Sequence, residues 1–358
     1  MYQTLSPPNR GVYEDENNNK TLILSSKFRG QRSKTNLLDD YINHFRPPIM
    51  IMLIGIPASG KSYIADYLKN KNTVVHSSDT LRQELYGDEN TQEHNADLFV
   101  ELHRRIKNDL IGGKDVVYDA TNISKKRRTA FIEELKNISC EKVCICVMTP
   151  YELCLKYNSL RERKVPEEVI KRMYMNWNPP SLAEGFNEIY YYYNYGEDEK
   201  AIKYRYKLTT LFEGDCGIDN FPQENKHHSL TLGEHCKRAM DYTINKFPSE
   251  KLLHIAALLH DNGKVFTKTK TNSKGIDDGD CHYYQHHCVG AYESLFFTKE
   301  MGLSTTDRTY IANLIYFHMH PYTSWKQSAR AEIRDRLKIG EKFYNDVIKL
   351  HEADDAAH

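Results

Sequence analysis

The chain has 358 residues, 40% hydrophobic and 27% charged, which is a globular composition with room for two domains, each with its own core. Lysine plus arginine balance aspartate plus glutamate at 49 each, so the chain lacks the global basic signature of a nucleic-acid binder, which argues weakly against a large electrostatic footprint and says nothing of a local groove. None of the eight cysteines forms a C-x-x-C pair, which favours reduced thiols in a cytoplasmic protein, and no apolar run approaches the ~20 residues of a membrane span.

Residues 1–47 read as a polar N-terminal arm with one short strand at Thr21–Ser25. The prolines of "HFRPPIM" close it. From Ile49 the pattern alternates strand and helix. "IMIMLIGI", "TVVHSSD", "KDVVYDAT" and "EKVCICVMTP" are apolar runs of strand length separated by helical segments, which predicts a parallel sheet with helices on both faces. Leu153–Trp177 is mainly helical, and the tyrosine-rich stretch after it holds a strand or two. Beyond Gly217 strand runs vanish and helical periodicity continues to the end, which predicts an all-α domain. The expected boundaries are 48–195 for the α/β domain, 196–218 for a connector and 219–358 for the helical domain.

Gly55-Ile56-Pro57-Ala58-Ser59-Gly60-Lys61-Ser62 fits G-x-x-x-x-G-K-[ST] between a strand and a helix. Such a loop turns backbone N–H groups around phosphates at a positive helix end. Here Gly55, Ser59 and Gly60 would shape the nucleotide-binding loop. Lys61 would reach the β- and γ-phosphates of ATP or another NTP, and Ser62 would ligate Mg²⁺. Asp79 ends the next strand, where a carboxylate can take a proton from an attacking hydroxyl, and Arg82 one turn later can hold an acceptor phosphate. A helix N-cap followed by a surface arginine would look the same. Asp119, at the end of the third strand, could sit near the metal in the Walker-B manner. Thr121, Asn122, Arg127 and Arg128 are candidate acceptor contacts, though a solvated helix start reads equally well for the two arginines; Arg161 and Arg163 are candidate lid residues on the donor phosphates, and a solvated basic helix face would look similar.

The blocks "GIPASGKS", "SSDTLRQEL", "DATNISKKRRTAF" and "NSLRERKVPEEVIKRMY" resemble, in order and spacing, the phage-type 5′-hydroxyl polynucleotide kinases over residues 49–180. The resemblance implies Asp79 as general base, Arg82 on the acceptor's 3′-phosphate and Arg161 as a lid arginine. This sequence departs from the family in three places. The lid is one residue shorter before "VP", Tyr157 stands where a basic residue is expected, and Asp119 is followed by Ala120.

The second candidate site is the doublet His260-Asp261 in "LLHIAALLHDNGK". Two ionisable side chains in an apolar run are costly to bury unless something binds them, and a metal would. His235, His286, His287, His318, His320 and Asp354 are further candidates, and more than half of the 16 histidines fall in this last third. Taken singly, each histidine is as readily a surface or core residue. Imidazole with carboxylate suits Mn, Ni, Co, Fe or Zn. The order H…HD…H…H…D resembles the HD phosphohydrolase superfamily over about residues 219–358, and "QENKHHSLTLGEH" is similar to the entrance of HD domains of the tRNA nucleotidyltransferase type. The resemblance implies a first metal on His235, His260, Asp261 and Asp354, a second on Asp261, His286 and His318, and Lys264 beside the phosphate; His287 is an alternative to His286.

The whole is similar to HD-domain polynucleotide kinases, with the kinase first here. The resemblance implies an RNA end-healing enzyme, acting on RNA or DNA ends that bear a 5′-hydroxyl, alongside a separate RNA ligase. It would add phosphate to the 5′-hydroxyl and hydrolyse 2′,3′-cyclic phosphate and phosphomonoester. A small-molecule kinase fused to a nucleotidase or dNTP hydrolase would use the same catalytic residues.

Overall fold

The computed structural model describes residues 47–70, 72–88, 93–213, 217–225 and 229–358; the strand expected at 21–25 lies outside them. The chain packs into two compact units. One comprises the described residues up to Val165 together with Glu184–Glu197, the other Pro166–Ala183 together with Asp198–His358.

The first unit is α/β. It runs β1 (Ile49–Ile54), α1 (Lys61–Leu68), β2 (Thr73–Ser77), α2 (Ser78–Tyr86), α3 (Asn95–Ile111), β3 (Asp115–Asp119), α4 (Lys125–Glu134), β4 (Glu141–Met148), α5 (Tyr151–Ser159) and, after the excursion into the other unit, β5 (Glu188–Tyr193). The strands form one sheet in the order β2-β3-β1-β4-β5, and every pairing is parallel. β1 and β3 are buried along their whole length, which is why they read as unbroken apolar runs rather than alternating ones. Ile51, Leu53, Val117, Val143, Ile145 and Val147 pack beneath Ile64, Ala65 and Leu68 of α1. β1 lies between β3 and β4, so the loop after it opens where the strand order reverses. The β2–β3 register pairs Ser77 with Asp119. Asp79, in the first turn of α2, therefore shares the carboxyl edge of the sheet with Asp119.

Arg128 of α4 is the unit's most deeply buried charge. Its Nε and Nη2 each donate at 2.8 Å to Glu184, and Nη1 donates to the carbonyls of Asn122 and Ile123 at 3.0 and 3.1 Å. Both side chains are fully shielded. The pair fixes the loop after β3 against the segment that returns from the second unit.

The second unit is helical: α6 (Glu167–Met175), α7 (Glu199–Arg205), α8 (Leu208–Glu213), α9 (Leu232–Lys246), α10 (Lys251–Leu259), α11 (Lys264–Thr267), α12 (His286–Glu300), α13 (Thr305–Phe317), α14 (Ser324–Gln327), α15 (Ala329–Ile339) and α16 (Glu341–Ala356). A capping box starts α9, with Thr231 accepting from the Glu234 N–H and the Glu234 carboxylate accepting from the Thr231 N–H. α12 is buried on nearly every face. Its Glu293 accepts from Tyr174 at 2.5 Å and from Tyr206 at 3.0 Å, while Trp177 and Tyr174 set their edges against Tyr292. These contacts draw α6, placed by the sequence within 48–195, into this unit, and Tyr206 brings the expected connector with it. A small antiparallel hairpin, β6 (Thr269–Thr271) and β7 (Asp277–His282), interrupts the helices. Sequence periodicity misses it because its strands are mostly exposed and polar on both faces. Among the described residues no helix is long and apolar enough to cross a membrane.

Arg128→Met would strand the buried Glu184 carboxylate. The expected loss is about 3–5 kcal/mol, with most of it recovered in Arg128→Met/Glu184→Met. Denaturant unfolding followed at the first unit's transition checks both.

Candidate phosphoryl-transfer and metal sites

The loop from Gly55 to Ser62 wraps the carboxyl end of β1. Ala58 and Gly60 have φ of 62° and 101°, the left-handed backbone found in anion-binding nests. A Cβ at Gly55 would stand 2.6 Å from the Ser59 hydroxyl and 3.0 Å from the Val147 carbonyl, which is why this position is glycine. Lys61 folds back and donates to the Ile56 carbonyl at 2.9 Å. Burial lowers its pKa, with Asp119 the largest opposing influence; Arg161 is close enough to push it further down. Ser62 donates to Asp119 at 3.1 Å, and burial raises the Asp119 pKa against the pull of Lys61. Hydroxyl and carboxylate together form an all-oxygen pair of the type that holds Mg²⁺ beside nucleotide phosphates.

Thr121 and Asn122 support this loop from behind. The Gly55 N–H donates to the Thr121 carbonyl at 3.0 Å, and the Asn122 amide donates to the Leu53 carbonyl at 2.9 Å. Thr149, which sequence reasoning missed, donates to the Ser59 carbonyl at 2.7 Å. Arg127 is exposed on α4. Arg128 is not an acceptor contact, because its guanidinium is sealed against Glu184.

Asp79 is held by two guanidiniums. Arg82 donates to it at 2.9 Å from the same helix, and Arg163 lies 3.0 Å away from the segment after α5. Arg82 is only 5% exposed and also donates to Asn95 at 3.0 Å. Arg161 lies exposed on the same segment as Arg163.

In the second unit six side chains converge from four helices or their ends and from the turn after a fifth. His235 lies on α9, His260 and Asp261 follow α10, His286 opens α12, His318 ends α13 and Asp354 is near the end of α16. They form two groups, His235–His260–Asp261–Asp354 and Asp261–His286–His318, each with its ligand atoms within 4.8 Å of one another, and Asp261 belongs to both. All six are buried. The donor set fits a cation. The Nδ1 atoms of His260, His286 and His318 approach the carbonyls of Ala257, Tyr283 and Ile315 at 2.7, 2.8 and 2.6 Å. A carbonyl only accepts, so each Nδ1 bears the proton and each Nε2 offers a lone pair. Yet the Nε2 atoms of His286 and His318 stand 3.2 Å apart, and those of His235 and His260 3.1 Å apart. Such converging lone pairs need positive charge between them. Burial, reinforced by His286 and His260, holds His318 neutral with a pKa of about 3. Burial also disfavours charge on His260, but Asp261 and Asp354 outweigh it and favour a second proton on its Nε2, the proton that a bound cation would replace.

Lys264 donates to Asp261 at 2.7 Å and to the buried Gln223 at 2.9 Å, a partner with no signal in the sequence. His287 sets its ring edge-on to those of His286 and His318, outside both groups. His320 packs on Phe317 and Trp325 instead. Gly263 lets the turn after Asp261 press on α12: a Cβ there would fall 2.1 Å from the His286 carbonyl oxygen and 2.5 Å from the Gly290 nitrogen.

The AAA domain family matches residues 50–180. The L-seryl-tRNA(Sec) kinase of Methanococcus maripaludis is 30% identical over 139 residues, 37% of this chain and 53% of its own, so the chain spans about half the length of that curated relative. Among solved structures, a chain of the Pnkp1/Rnl/Hen1 complex is 24% identical, covering 31% of this chain and 39% of that one with a TM-score of 0.28. A gluconokinase from Sinorhizobium meliloti is 14% identical, covering 44% of this chain and 89% of that one with a TM-score of 0.31. The chain thus joins a kinase-like P-loop α/β domain to a helical region with a metal-binding His/Asp cluster.

Gly263→Ala would push Asp261 away from His286. The expected result is a metal affinity at least about tenfold lower. Metal content after dialysis, read by plasma mass spectrometry, checks it, and nucleotide binding at the P-loop should not change.

Proposed function

We propose that this protein heals broken RNA ends, phosphorylating a 5′-hydroxyl with an NTP and removing a 2′,3′-cyclic phosphate and the phosphomonoester it leaves. The observation that carries the reading is the presence, on one chain, of a phosphate-donating loop and a buried His/Asp cluster of hydrolytic type. RNA cut by transesterification has a 5′-hydroxyl and a cyclic phosphate, and a ligase partner generally requires the opposite state. The likeness to a kinase named for an RNA-linked substrate, L-seryl-tRNA(Sec), lends support.

In the kinase reaction the acceptor oxygen attacks the γ-phosphorus of the NTP, the bond to the β–γ bridging oxygen breaks and the nucleoside diphosphate leaves. Asp79, at the sheet edge beside the loop, takes the hydroxyl proton. Lys61 and Arg161 neutralise charge on the transferring phosphoryl group, and Ser62 with Asp119 would hold Mg²⁺, which would supply further charge neutralisation there. Gly55, Ser59 and Gly60 shape the donor loop; Arg82 and Arg127 would serve the acceptor, with Thr121 and Asn122 at the same strand end, where they also brace the donor loop.

In the hydrolase the six ligands would hold one or two transition metals, which when bound supply activated water and a clamp on phosphate oxygens. Imidazole-rich ligation favours Mn, Ni, Co, Fe or Zn over Mg²⁺. Lys264, fixed by Gln223 and Asp261, offsets negative charge on the phosphate. Buried His318 and His286 keep their Nε2 atoms directed into the cluster through their carbonyl-bound Nδ1 protons.

Lys61→Ala and Asp79→Ala are each expected to lower 5′-phosphorylation by about a hundredfold or more and leave 3′-end hydrolysis intact. Asp261→Ala should do the reverse. The assay is mass spectrometry of one RNA carrying both a 5′-hydroxyl and a 2′,3′-cyclic phosphate, incubated with ATP, Mg²⁺ and Mn²⁺. An unchanged RNA beside turnover of free nucleosides or nucleotides would replace this reading with a role in nucleotide metabolism.

Chelation gives a second check. Dialysis against a chelator followed by Mg²⁺ alone should restore phosphorylation and leave hydrolysis absent until a transition metal is added back.

A further inference from the structure

We infer that the outward face of α15 docks the phosphate backbone of single-stranded RNA and leads its 3′ end to the metal cluster of the second unit. The inference rests on the hydrolase half of the reading above and names where that site's substrate lies. None of the eleven residues of α15 is buried. A helix of that length is marginal in water unless tertiary contacts hold it. Here those contacts are polar. Tyr344 of α16 donates to Glu332, and the Trp325 indole of α14 donates to Asp335 at 3.1 Å. Arg336 pairs with Glu341 at 2.6 Å and lies 4.7 Å from the centre of the Tyr344 ring.

Charge is thereby sorted across the helix. Its two carboxylates, Glu332 and Asp335, are taken up by α16 and α14. Arg330, Arg334 and Lys338 stand exposed at intervals of four, and Lys326 is exposed one turn ahead on α14. Arg334 has the neighbouring Asp335 at 3.2 Å; among the described residues Lys326, Arg330 and Lys338 have no ion-pair partner. A helix face that is only solvated alternates its signs, whereas this row presents one. Residues four apart on a helix are about 6 Å apart along its axis, the order of the separation of neighbouring phosphates on one strand. The row can therefore meet successive phosphates.

Its position gives it a direction. Trp325, next to Lys326, packs on Phe317 and His320, which flank the ligand His318. The far end of α15 is tied to Glu341, thirteen residues before the ligand Asp354 on the same helix and so about 20 Å from it. The row starts beside the cluster and leaves it, as does a strand whose last phosphate lies at the cluster. A bilayer or a partner helix fits the face less well. Its exposed aliphatics are Ile333 and Leu337, bordered one turn away by Arg330 and Glu341. Two such side chains are too few to anchor in a membrane and give a partner helix no continuous stripe to pack on.

The test uses the full chain with Mn²⁺ and RNAs of one, two, four, six and twelve nucleotides, each ending in a 2′,3′-cyclic phosphate. kcat and KM for 3′-end hydrolysis are measured in the native protein, in Arg330→Gln/Arg334→Gln/Lys338→Gln and in Arg330→Lys/Arg334→Lys. In the native protein KM should fall with length up to about five nucleotides and then level off. In the glutamine variant KM for the dodecamer should rise roughly tenfold at about 0.1 M salt, and the slope of log kcat/KM against log salt should shrink by about two. Its kcat, and both constants on the mononucleotide, should not change. The lysine variant keeps the charge and should behave as the native protein. Arg330→Gln and Lys338→Gln, each expected to raise KM by roughly twofold to threefold, carry the test if the triple change fails to fold, which turnover of the mononucleotide reports. An unchanged length dependence, or an equal loss at every length in the single variants, would overturn the docking face and leave the hydrolase standing. Unchanged RNA kinetics beside lost binding to phosphatidylserine–phosphatidylcholine vesicles would also overturn it, in favour of a membrane contact. A native protein that opens no cyclic phosphate at any length would overturn the hydrolase reading. Fluorescence anisotropy of the dodecamer with a 3′-hydroxyl then decides the face by itself: weaker binding in the glutamine variant supports it and equal binding overturns it.

Discussion

A carboxylate sealed away from water needs compensating charge, from Lys264 and from any cation the surrounding imidazoles hold, and the second unit is organised around that requirement at Asp261. One oxygen lies 2.7 Å from Lys264 and 3.4 Å from both His235 and His260; the other lies 3.3 Å from His286 and 3.7 Å from His318. Burial would push its proton affinity up, and Lys264 and His260 lead the charges that hold it well down. No single helix can surround a carboxylate in this way. α9, α10, α12 and α13 must each deliver one residue to the same point, and α16 adds Asp354 at 3.0 Å from His235. The glycine-mediated approach of the turn after α10 to α12 follows from that geometry, because a methyl group at Gly263 would hold Asp261 off His286. Packing and chemistry here are one constraint seen from two sides.

The first unit manages its charges differently. A parallel sheet collects strand ends at one edge, and the loops there can carry polar groups that its apolar interior cannot. Asp79 and Asp119 stand at that edge, and Lys61 lies in the loop beside it. The charge buried deepest, on Arg128, is neutralised by a bidentate pair and takes no part in the candidate site. Thr121, Asn122 and Thr149 likewise support the donor loop through backbone carbonyls or amides. Much of the polar chemistry around the loop is thus directed at holding its shape before any nucleotide arrives, which is the preorganisation that phosphoryl transfer needs.

The parts legible in the sequence are those whose signal is contiguous. The Gly55–Ser62 loop and the buried strands follow from local pattern, and the His260–Asp261 doublet stands out because an apolar run should not contain it. His235, His286, His318 and Asp354 lie at spacings that no helical period relates, and only their order in the chain suggested them. What stayed hidden was choice of partner. Arg127 and Arg128 are neighbours of the same type, yet one faces water and the other Glu184, a residue fifty-six positions on. Gln223 meets Lys264 across forty-one positions. The allegiance of α6 was hidden for the same reason, since it depends on Tyr174 finding Glu293. Periodicity reports which face is buried; it does not report what that face meets.

The chemistry of the donors separates the two sites as firmly as the chain does. Ser62 and Asp119 offer only oxygen, to which Mg²⁺ binds while keeping its waters. The second cluster offers four imidazoles against two carboxylates, a set that favours transition metals strongly over Mg²⁺. In the proposed reading one reaction adds phosphate and the other removes it, and distinct ligand sets let each depend on its own metal. Each centre can then be loaded, inhibited or replaced while its counterpart continues to work.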